Sequence, residues 1–479
     1  MSELKPGDRR PAEWWLPEMA GTREVPGLYE ILDSGAGRAT LFKSLNAIAT
    51  PFLEEDRSFE LLHGRAFNCS RITLYSSRRS QGRYGIGPLS ITELSTWLAI
   101  EGAWLSRDQL SISDARVEFH GQQDWSGWTS FAPDPSQPTY PPTNYVHTPG
   151  EVVSASMPGG TVSVNDRSGV SDGYGGEIIL HSGCYFDIAL HTPASFENFM
   201  KDWILPLEVL ITMATGRPGG IKSLSITNRE WDLGVVRHPS ERWLKVRSGS
   251  KAGSGPRRPL HGHEVLFTLR EMNWETQCPL IYQTVAKWEY TVELWATLLD
   301  PDNKWPLARF MSAIQAVEAL DRLLSPNVYD GGKLGIDFVH SVLRALRDAG
   351  FNNKKRSKVS SRLQRLADPS LEARLRRLTQ LLEPSMGNLC SEADWPSRVA
   401  KLRNIIAHGL PEARDYVFDS RALQVGTELA LHMLESAWLH NAGFDAQDAS
   451  VILGRRGNFG SRRKLVTENF HCLPKAQNR

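Results

Sequence analysis

The chain has little that would tie it to a membrane, a metal or an oxidising compartment. Across its 479 residues no run approaches the roughly 20 consecutive apolar residues of a membrane-spanning helix. Met1 to Arg10 is polar and charged and lacks the apolar core of a signal peptide, so a cytoplasmic protein with no membrane partner is expected. The five cysteines (Cys69, Cys184, Cys278, Cys390, Cys472) are odd in number, widely spaced and without a Cys-x-x-Cys pair. That points to reduced thiols and away from a structural zinc site. His261 and His263 stand one residue apart with no third ligand nearby, which reads as a loop. Asp166 to Asp172 lacks the regular ligand spacing of a calcium loop. No Gly-x4-Gly-Lys-Ser/Thr loop is present to cradle a nucleotide, and there is no repeat at a fixed period. No metal and no cofactor are expected.

What is present is length, aromatic content and a segregated charge. At 479 residues the chain exceeds one ordinary core, so two or three domains are expected. The formal net charge of +1 hides an imbalance. Residues 302–479 hold 27 Lys and Arg against 19 Asp and Glu, and the remainder holds 28 against 35. A basic C-terminal part on an acidic N-terminal part fits a nucleic-acid-binding module joined to something else.

Residues 1 to about 300 read mainly as β. Short alternating runs recur at Gly27–Leu32, Arg57–Leu62, Ser70–Tyr75, Ala115–Phe119, Glu177–His181, Cys184–Leu190, Trp243–Val246 and Glu264–Leu269. Two helices interrupt them. One is capped by Ser195, kinked at Pro206 and ended by Gly216-Arg217-Pro218; the other covers Thr92 to Trp104. Pro133–Pro149 and Ser248–Pro259 have the composition of mobile loops. The tryptophans, Trp14, Trp15, Trp97, Trp104, Trp125, Trp128, Trp203 and Trp231 among them, suit the core of this part.

Trp288, Val292, Trp295 and Leu299 then form a helical stripe, and Asp300-Pro301-Asp302-Asn303 breaks it. The expected division is therefore 1–299, mostly β, and 300–479, all α. In the second part, helices are expected from Pro306, over Leu334–Asp348, over Leu371–Leu382, over Ser397–His408 and over Ser420–Leu439. Their short connections favour an up-and-down bundle. The fold class is α+β.

The sequence most able to carry chemistry is Arg403-Asn404-Ile405-Ile406-Ala407-His408, followed by Gly409-Leu410-Pro411. Val399, Leu402, Ile405 and Ile406 make an apolar stripe, which leaves Arg403 near the other side and His408 in the last turn. Gly409 can end the helix and Pro411 prevents its continuation. An arginine can grip a phosphate bidentately. A histidine can take a proton from a ribose 2′-OH or give one to a leaving 5′-oxygen. Asn404 can hydrogen-bond the phosphate or orient the histidine. Helical geometry separates Arg403 and His408 by about 140° and about 7.5 Å of rise, too far for one helix to serve one phosphate, so two copies across a two-fold axis are expected. Lys354, Lys355, Arg356, Lys358, Arg362 and Arg365, with Arg374, Arg376 and Arg377 beyond them, form the candidate RNA track, to be weighed against an ordinary solvated face.

Arg403-Asn404-x-x-x-His408 near the end of a small bundle resembles the HEPN superfamily of RNA-cleaving helical domains. Glu318, in Ala316-Val317-Glu318-Ala319-Leu320, looks like the acidic residue that many HEPN domains place beside the Arg and His. Trp14-Trp15-Leu16-Pro17, Val25-Pro26-Gly27, His63-Gly64-Arg65 before Ile72-Thr73-Leu74, and Ala214-Thr215-Gly216-Arg217-Pro218 resemble the N-terminal domain of ApeA-type anti-phage proteins. The resemblance implies a defence protein of abortive-infection type. Its N-terminal domain would sense a phage-derived trigger, and its C-terminal domain would be a metal-independent HEPN endoribonuclease working as a homodimer or higher homo-oligomer. Arg403 and His408 would be catalytic, with Asn404 and Glu318 in support, and the RNA would be transfer RNA by analogy with related HEPN toxins. Two alternatives stay open: a HEPN-like bundle that holds RNA without cutting it, and an adaptor that senses a phage component while another protein acts. The tail after Leu439, with Arg455, Arg456, Arg462, Arg463 and Lys464, is not part of the HEPN pattern.

Overall fold

The computed structural model describes residues 7–21, 24–42, 58–67, 70–83, 91–128, 130–133, 145–172, 178–231, 242–248, 260, 264–299, 303–325, 332–367 and 369–475. Within these, the side chains of 58, 78–83, 171, 172, 178, 248, 332–337, 339 and 361–367 lie outside the description, as do Cys69, His261, His263 and most of both loop segments expected to be mobile. The chain divides into two units, Met1–Tyr282 and Gln283–Arg479. The division precedes the Trp288–Leu299 stripe, which the sequence assigns to the first part. That stripe lies on the helix Glu289–Leu299, whose closest packing is against the next helix, Pro306–Leu324.

In the first unit, alternating inward side chains dictate a barrel. Strands β1 (Arg9–Trp15), β2 (Val25–Ile31) and β3 (Gly37–Leu41) form one antiparallel meander, and β4 (Ser58–Ala66), β5 (Arg71–Arg83) and β6 (Ile91–Glu101) form a second. β3 pairs with β6 and β1 with β4, which closes the ring in the order β1-β2-β3-β6-β5-β4. Closure removes the free edges that an open sheet would leave. Trp14, Tyr29, Ile31, Leu41, Leu62 and Leu74 fill the interior with essentially no exposure. Gly64 faces Trp14 across β4 and β1, and a Cβ there would lie 2.4 Å from the indole. Burying an aromatic of that size is worth roughly 4–6 kcal/mol by area, which the missing side chain makes possible.

The expected helix over Thr92–Trp104 is instead strand β6. Leu94, Thr96 and Leu98 are buried on one face and Trp97 is half exposed on the other, but the run Leu98-Ala99-Ile100 is buried on both faces and hides this alternation in the sequence. The first half of β6 pairs with β3, while Leu98–Glu101 pairs with β16 (Leu244–Ser248). From β16 the sheet continues through β15 (Ile221–Thr227), β7 (Ser111–Phe119), β14 (Cys184–Ser195), β11 (Gly160–Asp166) and β10 (Val153–Met157). Two hairpins complete the β content, β8 (Phe131–Pro133) with β9 (Tyr145–His147), and β12 (Gly169–Asp172) with β13 (Ile178–His181).

Ser195 caps the helical run as expected, accepting from the Asn198 amide, and a wide π turn over Met200–Ile204 precedes Pro206. Gly216 ends the run in the left-handed conformation. Glu264–Leu269 is not a strand. Val265, Leu266, Phe267 and Leu269 are all buried in an irregular segment, held by the Leu266 amide on the Ala214 carbonyl at 2.6 Å. Burial on every side gives an apolar run that reads as a strand. Trp14, Trp15, Trp125 and Trp128 are core residues, whereas Trp97 is half exposed.

The second unit is all helical. All five expected helices are present, as Pro306–Leu324, Gly332–Asp348, Leu371–Leu381, Trp395–Ala407 and Arg421–Asn441, with further helices between and after them. Arg421–Asn441 is the central element, buried at nearly every position from Ala422 to Leu439. It packs on Pro306–Leu324, where Gly426 meets the Phe310 ring. The tail is integral to this unit. Helices Ala446–Arg455 and Phe459–Asn469 lie on the central helix, and Arg456 and Arg462 both pair with the buried Glu435, at 2.6 and 2.7 Å.

Candidate functional site

Helix Trp395–Ala407 buries Trp395, Pro396, Val399, Ala400, Leu402 and Ile405, so the sequence stripe is its packed face. Its end is a Schellman motif. The Leu410 amide returns to the Ile405 carbonyl at 3.0 Å and the Gly409 amide to the Ile406 carbonyl at 3.1 Å, with Gly409 at φ +58°. His408 is therefore the capping residue. Its side chain is exposed and has no hydrogen-bond partner among the described residues.

One turn earlier, Arg403 is half-buried and reaches across to the Pro306–Leu324 helix, with Nη2 3.5 Å from Glu318 Oε1. Its Nη1 donates to Asn404 Oδ1 at 3.4 Å. Arg403, Glu318 and Asn404 thus converge, and His408 stands apart from them at the helix end.

Three residues after Glu318 on the same helix, Asp321 is fully buried and accepts from Arg377 Nε at 3.0 Å. Two carboxylates one turn apart are met by arginines from two other helices, and magnitudes separate their roles. Removing one partner of a buried pair such as Asp321–Arg377 costs about 3–5 kcal/mol, so that pair is structural. The Arg403–Glu318 pair is longer and about a quarter to a third exposed. Pairs of this kind are worth roughly 0–1 kcal/mol, weak enough for a phosphate to displace the carboxylate.

The residues of the candidate basic track differ in their surroundings. Lys354, Lys355 and Lys358 are exposed on helix Asn353–Ala367, which begins where Asn352 Oδ1 accepts from the Lys355 amide at 3.0 Å. Lys355 Nζ lies 5.8 Å from the Phe351 ring centre. Arg356 is half-buried and donates to Asn353 Oδ1. Arg362 and Arg365 continue the helix, their side chains outside the described residues. Further on, Arg374 is buried and donates to the Pro369 carbonyl at 3.0 Å, Arg376 pairs with Glu372 at 2.9 Å, and Arg377 holds Asp321. Arg374 and Arg377 belong to the packing of helix Leu371–Leu381, whereas Arg376 is exposed and pairs along its own helix surface. Sequence reasoning missed the Asp321–Arg377 pair; the signal was an acidic residue at helical spacing from Glu318.

An all-helical bundle with an Arg-Asn-x-x-x-His helix end, preceded by a β-barrel domain, is the architecture of a HEPN protein with an N-terminal β domain. The chain matches the family model for ApeA N-terminal domain 1 over residues 10–276 and that for Apea-like HEPN over residues 311–448. It belongs to the ApeA-like family of anti-phage defence proteins with a C-terminal HEPN domain. HEPN domains of this kind are typically associated with ribonucleases. No match was found among curated proteins or among solved structures. Among the described residues no helix is long and apolar enough to cross a membrane.

Proposed function

We propose that the protein is an endoribonuclease of the anti-phage response, cutting RNA at a site assembled from two copies of the Trp395–Ala407 helix. The observation that carries this reading is the loosely held Arg403, paired across helices with Glu318 at 3.5 Å, one turn before an exposed, unpartnered His408. In the resting chain Glu318 keeps the guanidinium extended and oriented. An incoming phosphate competes for it, gaining a charge-assisted bidentate contact in place of a long one-point contact. Asn404, in reach of the same guanidinium, is placed to bond a non-bridging phosphate oxygen.

The reaction needs no external reactant. The ribose 2′-oxygen forms a bond to phosphorus, His408 takes the 2′-OH proton, and the bond from phosphorus to the 5′-oxygen breaks. The partner's His408 returns a proton to that leaving oxygen, giving a 2′,3′-cyclic phosphate and a 5′-hydroxyl. Arg403 stabilises the added negative charge on the phosphorane. Lys354, Lys355 and Lys358, with Arg356, Arg362 and Arg365, steer the RNA backbone. The substrate is transfer RNA, the N-terminal unit responds to a phage-derived trigger, and the setting is the cytoplasm, where cleavage halts growth of the infected cell. A plaque assay tests this reading. Cells carrying His408→Ala lose phage protection, whereas protection retained by that variant would overturn the nuclease role.

A further inference from the structure

The N-terminal unit carries a second concave site, unrelated to the motif helix. On the sheet formed by β11, β14, β7, β15 and β16, pairing places residues in cross-strand rows. Ser163, Asp187, Arg116, Ser225 and Lys245 make one row. In the next, Thr161, Ala189, Asp114 and Thr227 lie side by side. Ala189 is the small member of a polar row, and over it opens a cavity of about 420 Å³ lined by Asp114, Thr161, Ser163, Asn165, Asp187 and Trp243. Sites for small molecules commonly measure roughly 300–1,000 Å³.

The chemistry of this lining is selective. Both carboxylates already have a cation. Asp114 Oδ1 accepts from Arg229 Nη2 at 2.8 Å, and Asp187 Oδ2 lies 3.6 Å from Arg116 Nε. Each lining carboxylate is thus offset by one guanidinium, and Lys245 stands further along the first row, outside the lining. Asp114 Oδ2 also accepts from Ser113 Oγ at 2.6 Å and from Arg229 Nε at 3.2 Å, and Ser163 Oγ meets Ser154 Oγ at 2.8 Å. What remains are spare lone pairs on the carboxylates and hydroxyls and the Asn165 amide, all able to bond hydroxyl groups, beside an indole wall. The indole is fixed, because the Arg116 guanidinium stacks 4.2 Å from its ring centre. Burial holds the Asp187 carboxyl above the ordinary carboxylate range, against the pull of Arg116 and with a push from Asp114. Its side chain is 32% exposed, so a donor entering the cavity can reach its oxygens.

We infer that this cavity binds a neutral ring bearing several hydroxyl groups, a pyranose or the ribose of a nucleoside. The carboxylates and Asn165 take the hydroxyls, and Trp243 packs against the carbon face of the ring. The inference stands independently of the ribonuclease reading.

Titration calorimetry on the full chain tests it, in two arms. One uses methyl pyranosides of glucose, galactose and mannose; the other uses adenosine and uridine. Saturable binding in either arm supports the inference, and the arm that responds identifies the source of the ring. Ala189→Leu fills the cavity without removing a polar partner, and Asn165→Ala removes one contact; each weakens binding at least tenfold. If no compound in either arm binds at millimolar concentration, or if binding is unchanged in Ala189→Leu, the inference is overturned.

Discussion

Arg403 Nη2 lies 3.5 Å from Glu318 Oε1, while one turn along the same partner helix Arg377 Nε holds Asp321 Oδ1 at 3.0 Å. The first pair joins two helices lightly at the surface, and the second joins two helices firmly in the core. Glu318→Ala should therefore leave stability within about 1 kcal/mol of wild type. RNA cleavage should change by no more than about fivefold, because the phosphate takes the place of this carboxylate on Arg403. Arg377→Ala should instead destabilise by more than Glu318→Ala, up to about 3–5 kcal/mol, because it removes a guanidinium that faces the fully buried Asp321 carboxylate. Urea unfolding and a cleavage assay on both variants separate the roles.

If the helix Asn353–Ala367 tracks an RNA backbone, its three exposed lysines contribute counterion release. Replacing Lys354, Lys355 and Lys358 together by Ala should reduce the slope of log affinity against log salt by about 2 for single-stranded RNA. Fluorescence anisotropy over a salt series measures this. An unchanged slope would return the helix to an ordinary solvated face.

Gly426 lies inside the central helix, where Ala is normally better than Gly by about 0.5–1 kcal/mol. A Cβ at this position would stand 2.5 Å from Phe310 Cε2. Overpacking of a filled core costs about 1–3 kcal/mol, so the sign reverses and Gly426→Ala should destabilise. A lower urea midpoint is the expected result, and adding Phe310→Leu should recover part of the loss.

The core of the second unit carries an acid sensitivity. Burial, reinforced by Arg462, holds His432 down at about 4, with its Nε2 facing the Ser385 carbonyl at 3.0 Å. Burial pushes Glu435 up, but Arg462 and Arg456 outweigh it and hold the carboxyl at about 2. Both folded values lie below the unfolded ones, near 6.5 and 4.5. As pH falls, the unfolded chain takes up each proton first. The His432 contribution is therefore lost between about pH 6.5 and 4, and the Glu435 contribution between about pH 4.5 and 2. His432 alone accounts for about 3 kcal/mol over its window. Urea midpoints measured from pH 7 to 4 should fall steadily in wild type, and the fall should flatten in His432→Gln.

Much of this was legible in the sequence where a local rule had no competitor. Gly409 and Pro411 fixed the end of the motif helix, and Ser195 and Gly216 fixed the ends of the helical run between them. Legibility failed where burial replaced periodicity. Leu94, Trp97 and Leu98 looked helical because the end of the strand, Leu98 to Ile100, is buried on both faces, and Val265 to Leu269 looked like a strand because it is enclosed. In the site, Arg403, Asn404 and Glu318 were legible as a set, but the structural use of Arg374 and Arg377 depends on carboxylate and carbonyl partners that spacing does not reveal.

The central claim is that His408 and Arg403 cut RNA by attack of its own 2′-oxygen. The direct measurement is incubation of purified, trigger-activated protein with total RNA in EDTA, followed by analysis of the new ends. Fragments ending in 2′,3′-cyclic phosphate and 5′-hydroxyl are expected from wild type, with the rate lowered about 10²–10⁴-fold in His408→Ala. RNA left intact by wild type, or cut equally fast by His408→Ala, would contradict the account.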